Sequence, residues 1–364
     1  MKIATVIGAR PQFIKASAIS RCIKEDYASE IQEILVHTGQ HYDEGMSDVF
    51  FSELEIPTPH YNLGIGGGTH GANTGRMIEG IEKILLKDKF EWLFVYGDTD
   101  STLAGAIAAS KLGVPVMHIE AGLRSFNRAM PEEINRVLTD HISNLLFTPT
   151  AEASKNLLSE GISIAKIKQA GDVMQDVALF YQNKATEIPN LMINESFIVF
   201  TLHRKENTSD IKKLSNIISA LNTIARDIPV IMPVHPRTKK CFAAAHLDTS
   251  YLTLIDPVSY LQMLWLLKHC NLVVTDSGGL QKEAFFMGKP CVTTRHETEW
   301  VELVESGVNC LAGTNVDEIV SSIYKMYSAP VMDNQMLYGG GGAASRIMAM
   351  ALYEGIHHCG NSCL

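Results

Sequence analysis

Apolar positions in this chain fall into short blocks that alternate between two periodicities. Compact, largely β-branched runs at 2–7, 31–36, 92–96, 114–118 and 145–147 predict buried strands, and a second series follows at 197–201, 230–233, 253–255, 272–275 and 291–293. Between them, segments 12–23, 101–111, 132–143, 211–224 and 258–267 carry apolar residues at helical spacing. Such a βαβα rhythm calls for parallel sheets with helices on both faces. Two series predict two doubly wound α/β domains, residues 1–170 and 171–344, with the boundary near Ala170-Gly171-Asp172. The glycine run 339–342 is expected to be flexible, and a final helix within 345–364 is expected to return to the first domain. Ligands of such sheets lie beyond the carboxyl ends of the strands, so chemistry is expected in a cleft between two such edges.

The bulk properties narrow the function. A chain of 364 residues is too long for one ordinary core. Its net charge of −9, without basic runs, disfavours nucleic acid and anionic membranes as partners. No apolar stretch approaches the roughly 18 residues of a membrane span. The opening Met1-Lys2-Ile3 leads into a strand with no small-residue cleavage site, so no secretory leader is expected. Seven scattered cysteines read as reduced thiols of a cytoplasmic protein. His357-His358-Cys359 with Cys363 makes a weak metal candidate, because no rigid scaffold precedes it. Neither a G-x-G-x-x-G turn nor a P-loop occurs, which disfavours nicotinamide and P-loop nucleotides.

Polar clusters sit at the predicted strand ends. Most informative is Thr275-Asp276-Ser277-Gly278-Gly279, where a buried strand passes into an amphipathic helix. Its turn aims backbone N–H groups and a helix dipole at one point, a fit for phosphate or diphosphate, with Glu283 one turn further on for sugar hydroxyls. The plainer reading is an ordinary N-cap at Ser277. Gly8-Ala9-Arg10-Pro11-Gln12 with Lys15 offers a cationic pair, Arg10 being suited to bidentate phosphate binding. Gly97-Asp98-Thr99-Asp100 has the look of a metal-holding D-x-D, yet no complementary ligands accompany it, so no metal is assigned. Glu120 and Arg124 follow His118 at another strand end, and Glu132, Glu133 and Arg136 open a helix. Converging carboxylates would repel and separate into acid and base; surface pairing of Glu132 and Glu133 with Arg136 is the bland alternative. His203, within His-Arg-Lys-Glu-Asn, and His235, within Pro-Val-His-Pro-Arg, are candidate phosphate donors or general acids.

Together these motifs, with His37-Thr38-Gly39-Gln40-His41 and the 338–347 segment, resemble the non-hydrolysing UDP-N-acetylglucosamine 2-epimerase family over essentially the whole chain. The resemblance implies a GT-B-like arrangement, two Rossmann-like domains flanking a cleft, commonly dimeric and free of metal or nicotinamide. It implies elimination of UDP and re-addition, with Asp98, Glu120 and Glu132 as acid/base and cation-stabilising carboxylates. Arg10, Lys15 and His203 would offset charge on departing UDP, Ser277, Gly278 and Gly279 would hold its diphosphate, and Glu283 its ribose.

Departures from the usual pattern occur at Gly66-Gly67-Gly68-Thr69-His70-Gly71, at Tyr42-Asp43 after His41, and at Trp300-Val301 after Glu299. They resemble the branch acting on UDP-2,3-diacetamido-2,3-dideoxyglucuronate for surface polysaccharide, and they put a second, activating UDP-sugar site in doubt. Such a substrate needs room for a second acetamide, which glycines near 66–68 would supply, and a cation for its carboxylate, for which Arg124 and His70 are candidates. A UDP-N-acetylglucosamine 2-epimerase, a hydrolysing relative, a glycosyltransferase and a non-catalytic sensor are the alternatives, in that order.

Overall fold

The computed structural model describes residues 1–40, 53–191, 193, 196–330 and 335–361. His41, Tyr42, Asp43 and Cys363 lie outside the described residues, as do the side chains of His357, His358 and Cys359. The chain forms two compact units, Met1–Val177 with Gln335–Leu364, and Ala178–Asn334.

The first unit holds a seven-stranded sheet. Its strands are β1 (Lys2–Ile7), β2 (Gln32–His37), β3 (Tyr61–Asn62), β4 (Trp92–Tyr96), β5 (Val116–Ile119), β6 (Leu145–Thr148) and β7 (Ile167–Gln169), in the order β3-β2-β1-β4-β5-β6-β7. The second unit holds β8 (Ile198–Thr201), β9 (Val230–Pro233), β10 (Thr253–Ile255), β11 (Leu272–Thr275), β12 (Cys291–Thr293) and β13 (Asn309–Leu311), in the order β10-β9-β8-β11-β12-β13. Every recorded pairing is parallel. Each sheet therefore reverses its winding once, between β1 and β4 and between β8 and β11, and at these switch points the flanking loops part to leave a crevice.

Strands β1, β4 and β5 are buried almost throughout, which is why they read as continuous apolar runs rather than alternating ones. The strands absent from the periodicity, β3, β7 and β13, are short edge strands of two or three residues. Helix His70–Lys87 was equally illegible, because Gly71, Gly75 and Gly80 break its pattern. Gly80 packs against Leu63: a Cβ there would lie 2.9 Å from a Leu63 methyl, which would have to move aside.

Segment 335–342 belongs to the first unit rather than the second. Asp172 donates its N–H to the Tyr338 carbonyl, Arg346 donates to the Ala170 carbonyl, and the Asp176 carboxylate accepts the N–H groups of Ala343 and Ala344 at the start of helix Ala343–Asn361. The glycine run is a defined turn, not a loose hinge. Gly339, Gly340, Gly341 and Gly342 all have positive φ, a succession that side chains would resist. Among the described residues no helix is long and apolar enough to cross a membrane.

Candidate functional site

At the switch point of the first sheet, the turn after β1 is knit to the end of β4. Gln12 accepts the N–H groups of Gly8 and Ala9 at 2.8 and 3.0 Å, and donates to the Tyr96 carbonyl and the Thr102 hydroxyl. Those amides are thus already satisfied, which is why this turn makes no phosphate cradle of the dinucleotide kind. Arg10 and Pro11 open helix Arg10–Asp26, and one turn on Lys15 reaches Glu120 at the end of β5 in a buried ion pair. Glu120 itself has a left-handed backbone, φ 69°, rare for a residue with a side chain and a form of strain that clusters at functional sites. Between β4 and helix Asp100–Lys111, Gly97 also turns left-handed, φ 62°; a Cβ there would lie 2.9 Å from the Lys15 ammonium.

The carboxylates at this edge do not confront one another unscreened. Glu120 pairs with Lys15, and Asp98 pairs with Arg136. Asp100 accepts from Asn135 and faces His70 Nδ1 at 2.8 Å. Repulsion between bare carboxylates, expected from the sequence, is therefore relieved by two salt bridges, each bringing a helix residue to a strand-end acid, and by the hydrogen-bonding contacts of Asp100. The Glu133–Arg136 contact is real but buried, not superficial: Glu133 accepts the Ser125 and Phe126 N–H groups and lies 3.3 Å from Arg136. Glu132, one position earlier, is exposed, and among the described residues it makes no ion pair.

Arg124 is not available to a substrate carboxylate, contrary to expectation. Its guanidinium forks onto Glu160 at 2.6 and 2.7 Å and also donates to Asp140 and the Leu123 carbonyl, with the side chain only 1% exposed. Burial would favour losing its proton, but the two carboxylates outweigh that and hold it charged. His70 is the contrasting case, 72% exposed at the start of helix His70–Lys87.

At the second switch point Asp276 is an organiser rather than a ligand. Fully buried, it accepts the N–H groups of His203 (3.1 Å) and Arg204 (2.9 Å) and the Asn207 amide, while His203 Nδ1 lies 3.4 Å from it. Asn207 donates onward to the Thr294 carbonyl, so one carboxylate and one amide bind the ends of β8, β11 and β12 together. Ser277 caps helix Gly278–Phe286, its hydroxyl accepting from the Leu280 N–H. That helix is buried from Leu280 to Phe286, not amphipathic as read. Glu283 is therefore held deep in its first turns. His235 caps helix Pro236–Ala244 at the end of β9, neighbour to β8, accepting the Arg237 N–H on Nδ1.

The close neighbour of Gly278 is a carboxylate of the protein. A Cβ on Gly278 would lie 2.1 Å from Glu299 Oε1. Glu299 is in turn held by Arg295 at 3.1 Å, with Arg204 3.8 Å away. Arg295 and Glu299 carry no role in the sequence reading, because only the folded chain brings the turn after β12 against Gly278. Trp300 stacks under Lys282, whose ammonium lies 3.9 Å from the ring centre although the lysine is fully buried. Gln281 completes the support, donating to the Ser277 carbonyl and accepting from Thr298 and Asn309.

Two doubly wound parallel sheets, each gathering charged side chains at its switch point, define a GT-B-like α/β protein. Sequence comparison sharpens this. The model of the family described as UDP-N-acetylglucosamine 2-epimerase matches residues 24–352, and the chain belongs to that family of isomerases. It is 55% identical over 350 residues to the UDP-2,3-diacetamido-2,3-dideoxy-D-glucuronate 2-epimerase of Pseudomonas aeruginosa, covering 95% of this chain and 98% of that one. The crystal structure of the Methanocaldococcus jannaschii UDP-GlcNAc 2-epimerase in complex with UDP-GlcNAc and UDP superimposes with a TM-score of 0.90 at 42% identity, over 97% of this chain and all of that one. The Neisseria meningitidis UDP-GlcNAc 2-epimerase bound to UDP-GlcNAc gives 0.88 at 30% identity, with 97% and 100% covered.

Proposed function

We propose that the protein inverts C2 of UDP-2,3-diacetamido-2,3-dideoxy-D-glucuronate, from gluco to manno, by elimination of UDP and re-addition. The 55% identity to the Pseudomonas aeruginosa enzyme of that name, sustained over nearly the full length, is the observation that carries the choice of substrate. UDP-N-acetylglucosamine is the second reading, favoured by the 42% identical Methanocaldococcus jannaschii relative.

The sugar C2–H is barely acidic, so departure of UDP leads. As the C1–O bond breaks, its electron pair passes to the diphosphate and positive charge builds on C1 and the ring oxygen. A carboxylate then takes the C2 proton, and the C–H electron pair becomes the C1=C2 bond of a glycal. On return a proton reaches the opposite face of C2 and a diphosphate oxygen closes on C1, so nothing is consumed. In this reading Asp98, Glu120 and Glu132 divide the acid, base and cation-stabilising roles. Lys15 orients Glu120 and, with Arg10 and His203, offsets charge on the leaving UDP. Ser277, Gly278 and Gly279 receive the diphosphate, Glu283 the ribose, and His235 adds a donor. His70 is our candidate for the uronate carboxylate, since Asp100 turns its ring and leaves it exposed. No cofactor or metal is assigned. We place the protein in the cytoplasm as a homodimer, supplying a manno-configured sugar for surface polysaccharide such as O antigen.

Proton NMR of each UDP-sugar with the enzyme in heavy water tests this. The diacetamido uronate is expected to lose its C2 proton signal as the manno epimer appears. Recovery of both sugars unlabelled overturns the epimerase reading, and exchange confined to UDP-N-acetylglucosamine overturns the choice of sugar. Accumulating free UDP would instead identify a hydrolysing enzyme.

A further inference from the structure

His118, on β5, is completely buried and has both ring nitrogens engaged. Nε2 lies 2.7 Å from the Gly97 carbonyl oxygen, and Nδ1 lies 2.7 Å from Asp140 Oδ1. A carbonyl only accepts, so Nε2 carries a hydrogen. Asp140 is an acceptor as well. Burial pushes its carboxyl up, but the neighbouring His118 and Arg124 overcome this and hold it below the usual carboxylate range. Asp140 Oδ2 is also occupied by two donors, Arg124 Nη1 at 2.7 Å and the Gly122 N–H at 3.2 Å. With acceptors on both sides, the geometry calls for a hydrogen on each ring nitrogen. So protonated, His118 would alternate in charge with Asp140, Arg124 and Glu160, which removes the objection to burying a lone cation.

The outer end of that row is the Gly97 carbonyl. Gly97 donates its N–H to the Ile119 carbonyl at 3.0 Å, and the space where its Cβ would stand is bounded by Lys15 Nζ at 2.9 Å and Glu120 Oε1 at 3.3 Å. The residue after it is Asp98. The Gly97 turn thus borders the Lys15–Glu120 pair and leads directly into Asp98, and His118 grips it from within the sheet.

We propose that His118 is a positioning residue, held as a buried imidazolium, that fixes the Gly97 turn and so presents Asp98 and the Lys15–Glu120 pair in one geometry. The proposal rests on the reading that Asp98 and Glu120 serve the proton transfers. His118 touches none of the reacting atoms and acts through the peptide.

Two measurements on the full-length protein test it. With 15N-labelled histidine at about pH 8, above the ordinary histidine range, the wild-type His118 ring signals, assigned by through-bond correlation to its own backbone amide, are expected to show hydrogens on both ring nitrogens. A ring with one hydrogen overturns the proposal whether or not the variant folds. In folded His118→Gln, which keeps one donor toward Gly97 but no charge, kcat is expected to fall ~100-fold, the scale of a displaced catalytic group, while KM changes less than about threefold. An unchanged kcat, or a loss confined to KM, overturns it. Wild type without C2 exchange on either sugar would sink the proposed function instead, leaving the NMR result to stand alone.

Discussion

Lys15 and Glu120, 105 residues apart, form a buried ion pair that joins the helix after β1 to the end of β5. The pair crosses the switch point of the first sheet, where β1 and β4 lie side by side. It brings a cation and a carboxylate beside the Gly97 turn.

Breaking the pair from one side strands a buried charge. Lys15→Met is expected to destabilise the protein by about 3–5 kcal/mol and to abolish C2 exchange. Adding Glu120→Gln removes the carboxylate that lost its lysine, so the double variant is expected to be more stable than Lys15→Met alone and to recover none of the activity. Thermal melts and heavy-water exchange on the single and double variants check both halves.

Asp276→Asn replaces a carboxylate that accepts from two backbone N–H groups and an amide by a group that offers only one oxygen. One N–H of the His203–Arg204 loop is then left facing a donor. A loss of about 1–3 kcal/mol is expected, with UDP binding weakened at least about tenfold if the loop bears on the diphosphate. Calorimetric titration with UDP measures it, and wild-type affinity would count against the role of the loop.

Gly278→Ala drives a methyl onto the Glu299 carboxylate. Overpacking of about 1–3 kcal/mol is expected. Because the obstacle is a side chain, Gly278→Ala is expected to cost less stability in a Glu299→Ala background than in the wild type. An equal cost in both backgrounds would contradict the contact.

The row through Asp140 makes the first unit acid-sensitive. Burial opposes the ionised form, yet His118 and Arg124 hold the folded Asp140 below its unfolded value. A group depressed in this way stabilises the fold above the unfolded carboxylate value of about 4, and that contribution is lost as pH falls through the lower folded value. Glu160, depressed by its hydrogen bonds to Arg124, acts in the same direction. Melting temperature is expected to drop on acidification from about pH 6 to pH 3, and Asp140→Asn to flatten that fall while lowering the plateau. A slope unchanged by the substitution would show that other carboxylates govern it.

Much of this architecture was legible because its signals are local. β-branched runs, helical spacing and turn residues act within a few positions, so the two doubly wound series and the strand-end motifs could be read directly. The buried character of helix Gly278–Phe286 was not legible, because Gln281, Lys282 and Glu283 are polar and only their partners, among them Trp300, Thr298 and Asn309, make burial tolerable. Arg124 misled for the same reason: an arginine near a strand end looks free until Glu160 and Asp140 are seen to close on it.

By itself the chain determined where strands end and which charged residues stand at those ends, since pattern and turn chemistry operate over neighbouring residues. Only the tertiary structure decided which charge meets which. Lys15 finds Glu120, Arg136 finds Asp98, and Asp276 finds His203 because parallel strands carry distant residues to one edge. That shared edge makes them neighbours, and no spacing along the sequence encodes it.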